Sequence, residues 1–398
     1  MELPAKKLNI YYALLQAVYW ITSAVVFCFT TVYLQFRGYS NYEIGIVFAA
    51  GNICGFAAQT LVSGYVDRHR RRNLLTCIRM AAALELLLMA AVYLLPDGSI
   101  ALIGAYALII AANTLLNPLC ISLSFHIESW GCGISFSRAR ALGSLTFALC
   151  SVVLGIFVQR VSENAVPSAL ILFSALMGLI TLLFIPCDRA QRSASPSGSE
   201  PETAAVSGSL IEFWRENRRF LLFLLGTATL YFTHALIGNF MIEFIRNIGG
   251  GSEDMGNVLA FMTVMEFPVM LLFSRLTQRF KCSTLLRFAV IMFTVKELMI
   301  YLAPSIPALY AAEALQAFSF ALFVPASVRY VDEVIAKHNA VKGQAFVTAM
   351  ITLGSIFASY IGGLLLDTST PHFTLFVGVI VSAVGTLIML CAIQTTKN

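Results

Sequence analysis

Residues 100–127 read IALIGAYALIIAANTLLNPLCISLSFHI, a run without a single Asp, Glu, Lys or Arg. A helix rises about 1.5 Å per residue, so roughly 20 residues cross a hydrocarbon core of about 30 Å, and this run is longer than that. No water at that depth could satisfy a free backbone, so the run is expected to be a membrane-spanning helix. Working outward, comparable runs lie at 10–33, 42–66, 74–95, 137–160 and 165–186, then at 219–246, 255–275, 283–302, 306–332, 341–366 and 370–393. The fold expected is therefore an all-α membrane protein of twelve transmembrane helices in two six-helix lobes, 1–186 and 219–398, separated by a polar segment at 187–218.

Composition agrees, with 58% hydrophobic and 12% charged residues over 398 positions leaving no stretch for a sizeable soluble domain. The first run follows Lys6 and Lys7 but is too long for a signal-peptide core, so it reads as a retained helix. Nine cysteines show no C-x-x-C pair, which gives neither a disulfide framework nor a zinc site.

The formal charge of +5 is placed asymmetrically. Lys6, Lys7, Arg68–Arg72, Arg138, Arg140, Arg275, Arg279, Lys281, Lys337, Lys342 and Lys397 fall on one set of alternating links. Only Arg37, Arg160 and Arg246 flank the other set. The positive-inside rule then places both termini in the cytoplasm, as an even number of spans also requires. Between the lobes, Arg192–Glu202 has the Ser/Pro/Gly composition of a flexible linker. Leu210–Arg219 mixes apolar residues and cations as a short surface helix would.

Small residues set packing faces: Gly51 and Gly55 in span two, and Gly354, Ala358 and Gly362 in span eleven, recur four apart. Ser40 and Glu43 have the S-x-x-E spacing of a capping box at the start of span two.

Two segments resemble known families. Ser63-Gly64-Tyr65-Val66-Asp67-Arg68-His69-Arg70-Arg71-Arg72 resembles the major facilitator signature G-x-x-x-D-[RK]-x-G-[RK]-[RK] between the second and third helices, with Ser63 and Arg70 standing where that pattern has glycine. The resemblance implies the major facilitator fold and a gating role for Asp67, Arg71 and Arg72, whose charge contacts would hold the cytoplasmic side closed. Ser137–Cys150 resembles the start of the fifth helix in the oligosaccharide:proton symporters, the lactose permease family, where the second arginine grips sugar hydroxyls and a later aromatic stacks on the ring. That places Arg140, Ser144 and Phe147 in the solute site, with Arg138 beside the gate; Ser144 replaces a cysteine and Phe147 a tryptophan. The family's sugar-binding glutamate of helix four falls on Ser124, while Glu128 matches a second acid one turn nearer the cytoplasm.

The residues support the same chemistry by themselves. Arg140, Ser144 and Phe147, spaced 0, 4 and 7, share a helix face, and a guanidinium fork, a hydroxyl and an apolar plate suit a polyol. Asn113, Asn117 and Ser124 form one polar stripe on an apolar helix, consistent with a wet cavity. Ionisable residues deep in a span are expensive and default to function. His234, Glu266, Lys296, Glu297 and Glu313 are such residues in the second half, and Glu85 in the first. Aligned with the symporters, Lys296 stands at their paired arginine, and Gln316 and Ser319 at the histidine and glutamate of helix ten, so their proton carrier is missing and Gln316 is expected among the residues that bind solute. Glu266, with Pro268 two residues on, is the favoured replacement, with Glu313 second and His234 a possible relay.

These readings imply a secondary active transporter in the cytoplasmic membrane: a proton-coupled symporter importing a sugar, nucleoside or similar small polar solute by alternating access, functioning as a monomer. An exporting antiporter and a transporter-like solute sensor are the alternatives. No enzyme, metal, cofactor or nucleic-acid role is expected, because the five histidines lack metal-ligand spacing and neither a nucleophile elbow nor a Walker motif is present.

Overall fold

The computed structural model describes residues 5–68, 70–128, 132–186, 213, 215 and 217–395; the side chains at 5, 63, 65–68, 70–73 and 338 fall outside that description. The expected linker and surface helix therefore lie almost wholly outside the described residues. Among the described residues all regular structure is helical.

The helices are α1 (Ala5–Cys28), α2 (Thr30–Phe36), α3 (Asn41–Arg68), α4 (Arg70–Val92), α5 (Ile100–Glu128), α6 (Phe136–Arg160) and α7 (Ala165–Leu182). After the central segment come α8 (Arg218–Asn239), α9 (Met241–Asn247), α10 (Ser252–Arg279), α11 (Cys282–Leu302), α12 (Ile306–Glu313), α13 (Phe320–Val334), α14 (Ala340–Thr368) and α15 (Pro371–Ala392). Among the described residues eleven helices or helix pairs are long and apolar enough to cross a membrane. The run at 283–302 forms α11, a 21-residue helix. It falls outside the eleven because Arg287, Lys296 and Glu297 interrupt its apolar character.

Three of the expected spans are broken. The first divides at Phe29, the seventh at Phe240, and the tenth at a 3-10 turn, Ala314–Ala317, between α12 and α13. A stretch of 3-10 inside a spanning helix frees carbonyls and marks a hinge.

Contacts divide the chain into two compact units, Met1–Tyr39 with Ala50–Val206, and Ser40–Ala49 with Ser207–Asn398. In the first, α1 packs along α6 and α7, and α4 along α5 and α7. Tyr12, Leu15 and Tyr19 of α1 meet Leu75 and Ile78 of α4, Leu116 and Leu123 of α5 and Met177 of α7 in one buried core. Gly51 lies against Ile110 and Gly55 against Thr114, so the first small-residue face brings α3 onto α5.

In the second unit, α8 packs along α14 and α15, and α11 along α13 and α15. Phe223, Leu224, Phe293, Phe323, Tyr330 and Met389 are fully or almost fully buried between them. Gly354 admits the backbone of Ala228, and Gly362 admits Leu236 and Phe240, so the second small-residue face serves α8.

The first turn of α3 belongs to this second unit. Ser40 and Glu43 form the expected capping box, with Ser40 N–H donating to the Glu43 carboxylate at 2.9 Å and Glu43 N–H to the Ser40 hydroxyl at 3.2 Å. A second acid caps the same turn: Asp367 at the end of α14 accepts from Asn41 N–H at 3.0 Å and Tyr42 N–H at 2.8 Å. A carboxylate at a helix N-terminus is favoured by both the open donors and the helix dipole. Gly45 lies against the Ser359 carbonyl and Gly363 against Asn41, and neither position leaves room for a Cβ.

Candidate functional site

The chemistry gathers in two groups, one in each unit. In the first unit, Arg140 Nη1 donates to Ser144 Oγ at 2.6 Å, as their spacing on α6 requires. The guanidinium carbon lies 3.7 Å from the centroid of the Trp20 ring. Phe147 meets the same indole edge-on at 6.3 Å. Gly143, between Arg140 and Phe147, is what lets Trp20 of α1 approach α6 so closely. All three predicted residues are half-buried and come together. Trp20 was not foreseen: it lies on another helix, and a lone indole in an apolar span gives no signal beyond bulk.

The second group surrounds the break in the tenth span. Lys296 on α11 pairs with Glu313 Oε2 at 2.8 Å, the two side chains 3% and 0% exposed. Its ammonium also donates to Gln316 Oε1 at 2.6 Å, and Gln316 Nε2 donates to Glu266 Oε1 on α10 at 2.9 Å. This orientation of the amide is the one that offers oxygen to the cation and N–H to the carboxylate. Glu313, Lys296, Gln316 and Glu266 thus form one chain across α12, α11, the 3-10 turn and α10. Glu297 is buried on the same helix as Lys296. His234 lies beside this chain of contacts, stacked on Phe320 at 4.7 Å between centroids, with Tyr231 and Phe293 edge-on.

The polar stripe of α5 does not join the Arg140 group. Asn113 is fully buried; its Nδ2 donates to Glu85 Oε1 at 2.9 Å and to Thr22 Oγ1 at 3.2 Å, and its Oδ1 accepts from Ser23 Oγ at 3.0 Å. Ser174 Oγ donates to Glu85 Oε2 at 3.1 Å. Glu85 therefore ties α1, α4, α5 and α7. Ser124 is buried and bonds the Ile121 carbonyl at 2.7 Å. Asn117 is half-buried, while Glu128 and Arg138 are exposed near the adjoining ends of α5 and α6. The side chains of Asp67, Arg71 and Arg72 lie outside the described residues.

Interhelical hydrogen bonds in membranes contribute about 0.6 kcal/mol each on average, and a stranded donor costs more, so Glu85→Leu should lose about 1–3 kcal/mol of stability. Thermal unfolding of the purified protein in detergent checks this. An unchanged melting temperature would mean that Glu85 does not hold these helices together.

The profile of the MFS_1 like family matches residues 12–377. The chain belongs to the MFS_1 like family. A relative, the "Probable 3-phenylpropionic acid transporter" of Escherichia coli (strain K12), is 22% identical over 357 residues, covering 86% of this chain and 88% of that protein. The crystal structure of nucleoside transporter NupG is similar with a TM-score of 0.76 at 15% identity, covering 98% of this chain and 100% of that one. A bacterial homologue of the human lysosomal transporter Spinster, inward-facing and unoccupied, gives 0.67 at 12% identity, covering 99% and 96%. This MFS_1 like protein is a multi-pass membrane transporter and not an enzyme.

Proposed function

We propose that this transporter takes up a small solute bearing both a ring and a polar or anionic group, coupled to protons, by alternating access. The observation that carries the solute class is Arg140 lying on Trp20, with Phe147 against the same indole and Ser144 at the guanidinium edge. A fork of N–H donors beside aromatic faces can hold sugar or nucleoside hydroxyls while a ring stacks, or hold the carboxylate of an aromatic acid in the same way. The likeness of span five to the oligosaccharide:proton symporters supports the first, and the relative named for 3-phenylpropionic acid supports the second.

Proton coupling is assigned to the second unit, to Glu266 and Glu313 around Lys296 and Gln316, with His234 a neighbouring relay. Of the α5 stripe, the half-buried Asn117 is assigned to the solute site, while Asn113 and Ser124, bonded to Glu85 and to the Ile121 carbonyl, brace the helices of the first unit. The chain crosses the bacterial cytoplasmic membrane twelve times in this reading, α11 included, with both termini in the cytoplasm, and works as a monomer.

Reconstituted vesicles and a panel of radiolabelled sugars, nucleosides and aromatic acids, with and without an imposed proton gradient, test the proposal. Accumulation of one class only when the gradient is present is expected. Uptake indifferent to the gradient removes the coupling, and proton-driven efflux would make the protein an exporter.

Asp67, Arg71, Arg72, Glu128 and Arg138 are assigned to gating at the cytoplasmic ends, away from the midplane where such transporters bind solute. Asp67→Asn is therefore expected to slow transport at least several-fold with near-normal solute affinity. Weakened equilibrium binding at equal protein level would count against a gating role.

A further inference from the structure

At one end of the first unit, the opening turns of α1 and the start of α6 border an open cavity of about 360 Å³ lined by Lys6, Asn9, Ile10, Ala13, Ser135, Arg138 and Ala139. Its wall is a constructed one. Asn9 Nδ2 donates to the Gly133 carbonyl at 2.8 Å and its Oδ1 accepts from Ser135 N–H at 2.8 Å, stapling the segment before α6 onto α1. Arg138 Nη2 donates to Ser135 Oγ at 2.6 Å, which ties this exposed lining guanidinium to the segment before α6. Lys6 is the second cation, and among the described residues the lining contains no Asp or Glu.

Beside the cations the surface turns apolar. Ile10 is 49% exposed and Leu14, one turn further along the same face of α1, is 42% exposed. Two cations that open onto an exposed apolar track at the end of a spanning helix match a ligand with an anionic phosphate and a hydrocarbon chain. A guanidinium takes two phosphate oxygens at once, and a lysine adds a mobile point charge. A free phosphate would use the cations and leave Ile10 and Leu14 bare.

The geometry points to a binding site for the phosphate of an anionic phospholipid, held by Lys6 and Arg138 with an acyl chain along Ile10 and Leu14. It shares no residue with the Arg140 group or the coupling chain, it borders the proposed gate through Arg138, and it does not depend on which solute is carried.

Native mass spectrometry of the full-length protein, titrated with phosphatidylglycerol or phosphatidylcholine, reads the site directly. The wild type should retain phosphatidylglycerol in preference to phosphatidylcholine. Lys6→Ala with Arg138→Ala should weaken that retention roughly thirty-fold, since each cation near a lipid surface contributes about a factor of five. Lys6→Ala alone, an exposed change in the first turn that does not threaten folding, should cost about five-fold. Equal retention by wild type and Lys6→Ala would overturn the proposal. So would displacement of bound phosphatidylglycerol by inorganic phosphate at millimolar level, because the site would then serve a free anion.

Discussion

Glu266→Gln is expected to abolish uphill accumulation of solute while leaving exchange down the solute's own gradient intact. One charge moved across about 100 mV carries about 2.3 kcal/mol, enough for roughly fifty-fold accumulation, and the variant should fall to a ratio of about one. Glu266 is half-buried and joined through Gln316 to Lys296, which pairs with Glu313. Glutamine keeps the shape and an oxygen for Gln316 Nε2 but cannot take up or release a proton. The chain of contacts survives and the charge change does not. Counterflow and proton-driven uptake in the same vesicles separate the two behaviours. Should the variant still concentrate solute with unchanged pH dependence, the proton belongs to Glu313, and Glu313→Gln should then show the phenotype. If both variants concentrate solute, coupling does not run through the second unit.

Arg140→Lys is the second large effect. Lysine preserves the positive charge but has no planar face to lay on Trp20 and cannot offer Ser144 and a solute parallel N–H groups. A charge-assisted hydrogen bond contributes about 1.5–3 kcal/mol, so uptake efficiency should fall roughly ten- to hundred-fold at normal protein level. Phe147→Tyr should be tolerated. Phe147→Ala should weaken binding by up to roughly ten-fold, the worth of an aromatic contact. Wild-type uptake by Arg140→Lys would remove that residue from the site.

How much of this was legible in the sequence depends on whether one helix or two are involved. The spans were readable because hydrocarbon thickness imposes a length, and the Arg140, Ser144 and Phe147 face because helix geometry alone brings those positions together. Trp20 comes from another helix, through a close approach that only Gly143 permits. The break at Ala314–Ala317 carries no Gly or Pro; Ala-Leu-Gln-Ala is good helix sequence, and tertiary contacts of Gln316 override the preference. Asn113 shows the limit from the other side. Periodicity marks a polar face, but it cannot tell a water-filled cavity from a neighbouring helix that presents Glu85.

The double cap on α3 bears on the order in which the polypeptide is built. Asn41 and Tyr42 meet Asp367 across separations of 326 and 325 residues. Synthesis runs from the N-terminus, so when the first turn of α3 enters the bilayer its partner is still far from the ribosome exit. Until α14 arrives, the Ser40–Glu43 box alone holds that turn, and Gly45 presents a bare groove. The second unit cannot be completed from the second half of the chain: residues 40–49, among the first to be made, meet Asp367 only once α14 has been made.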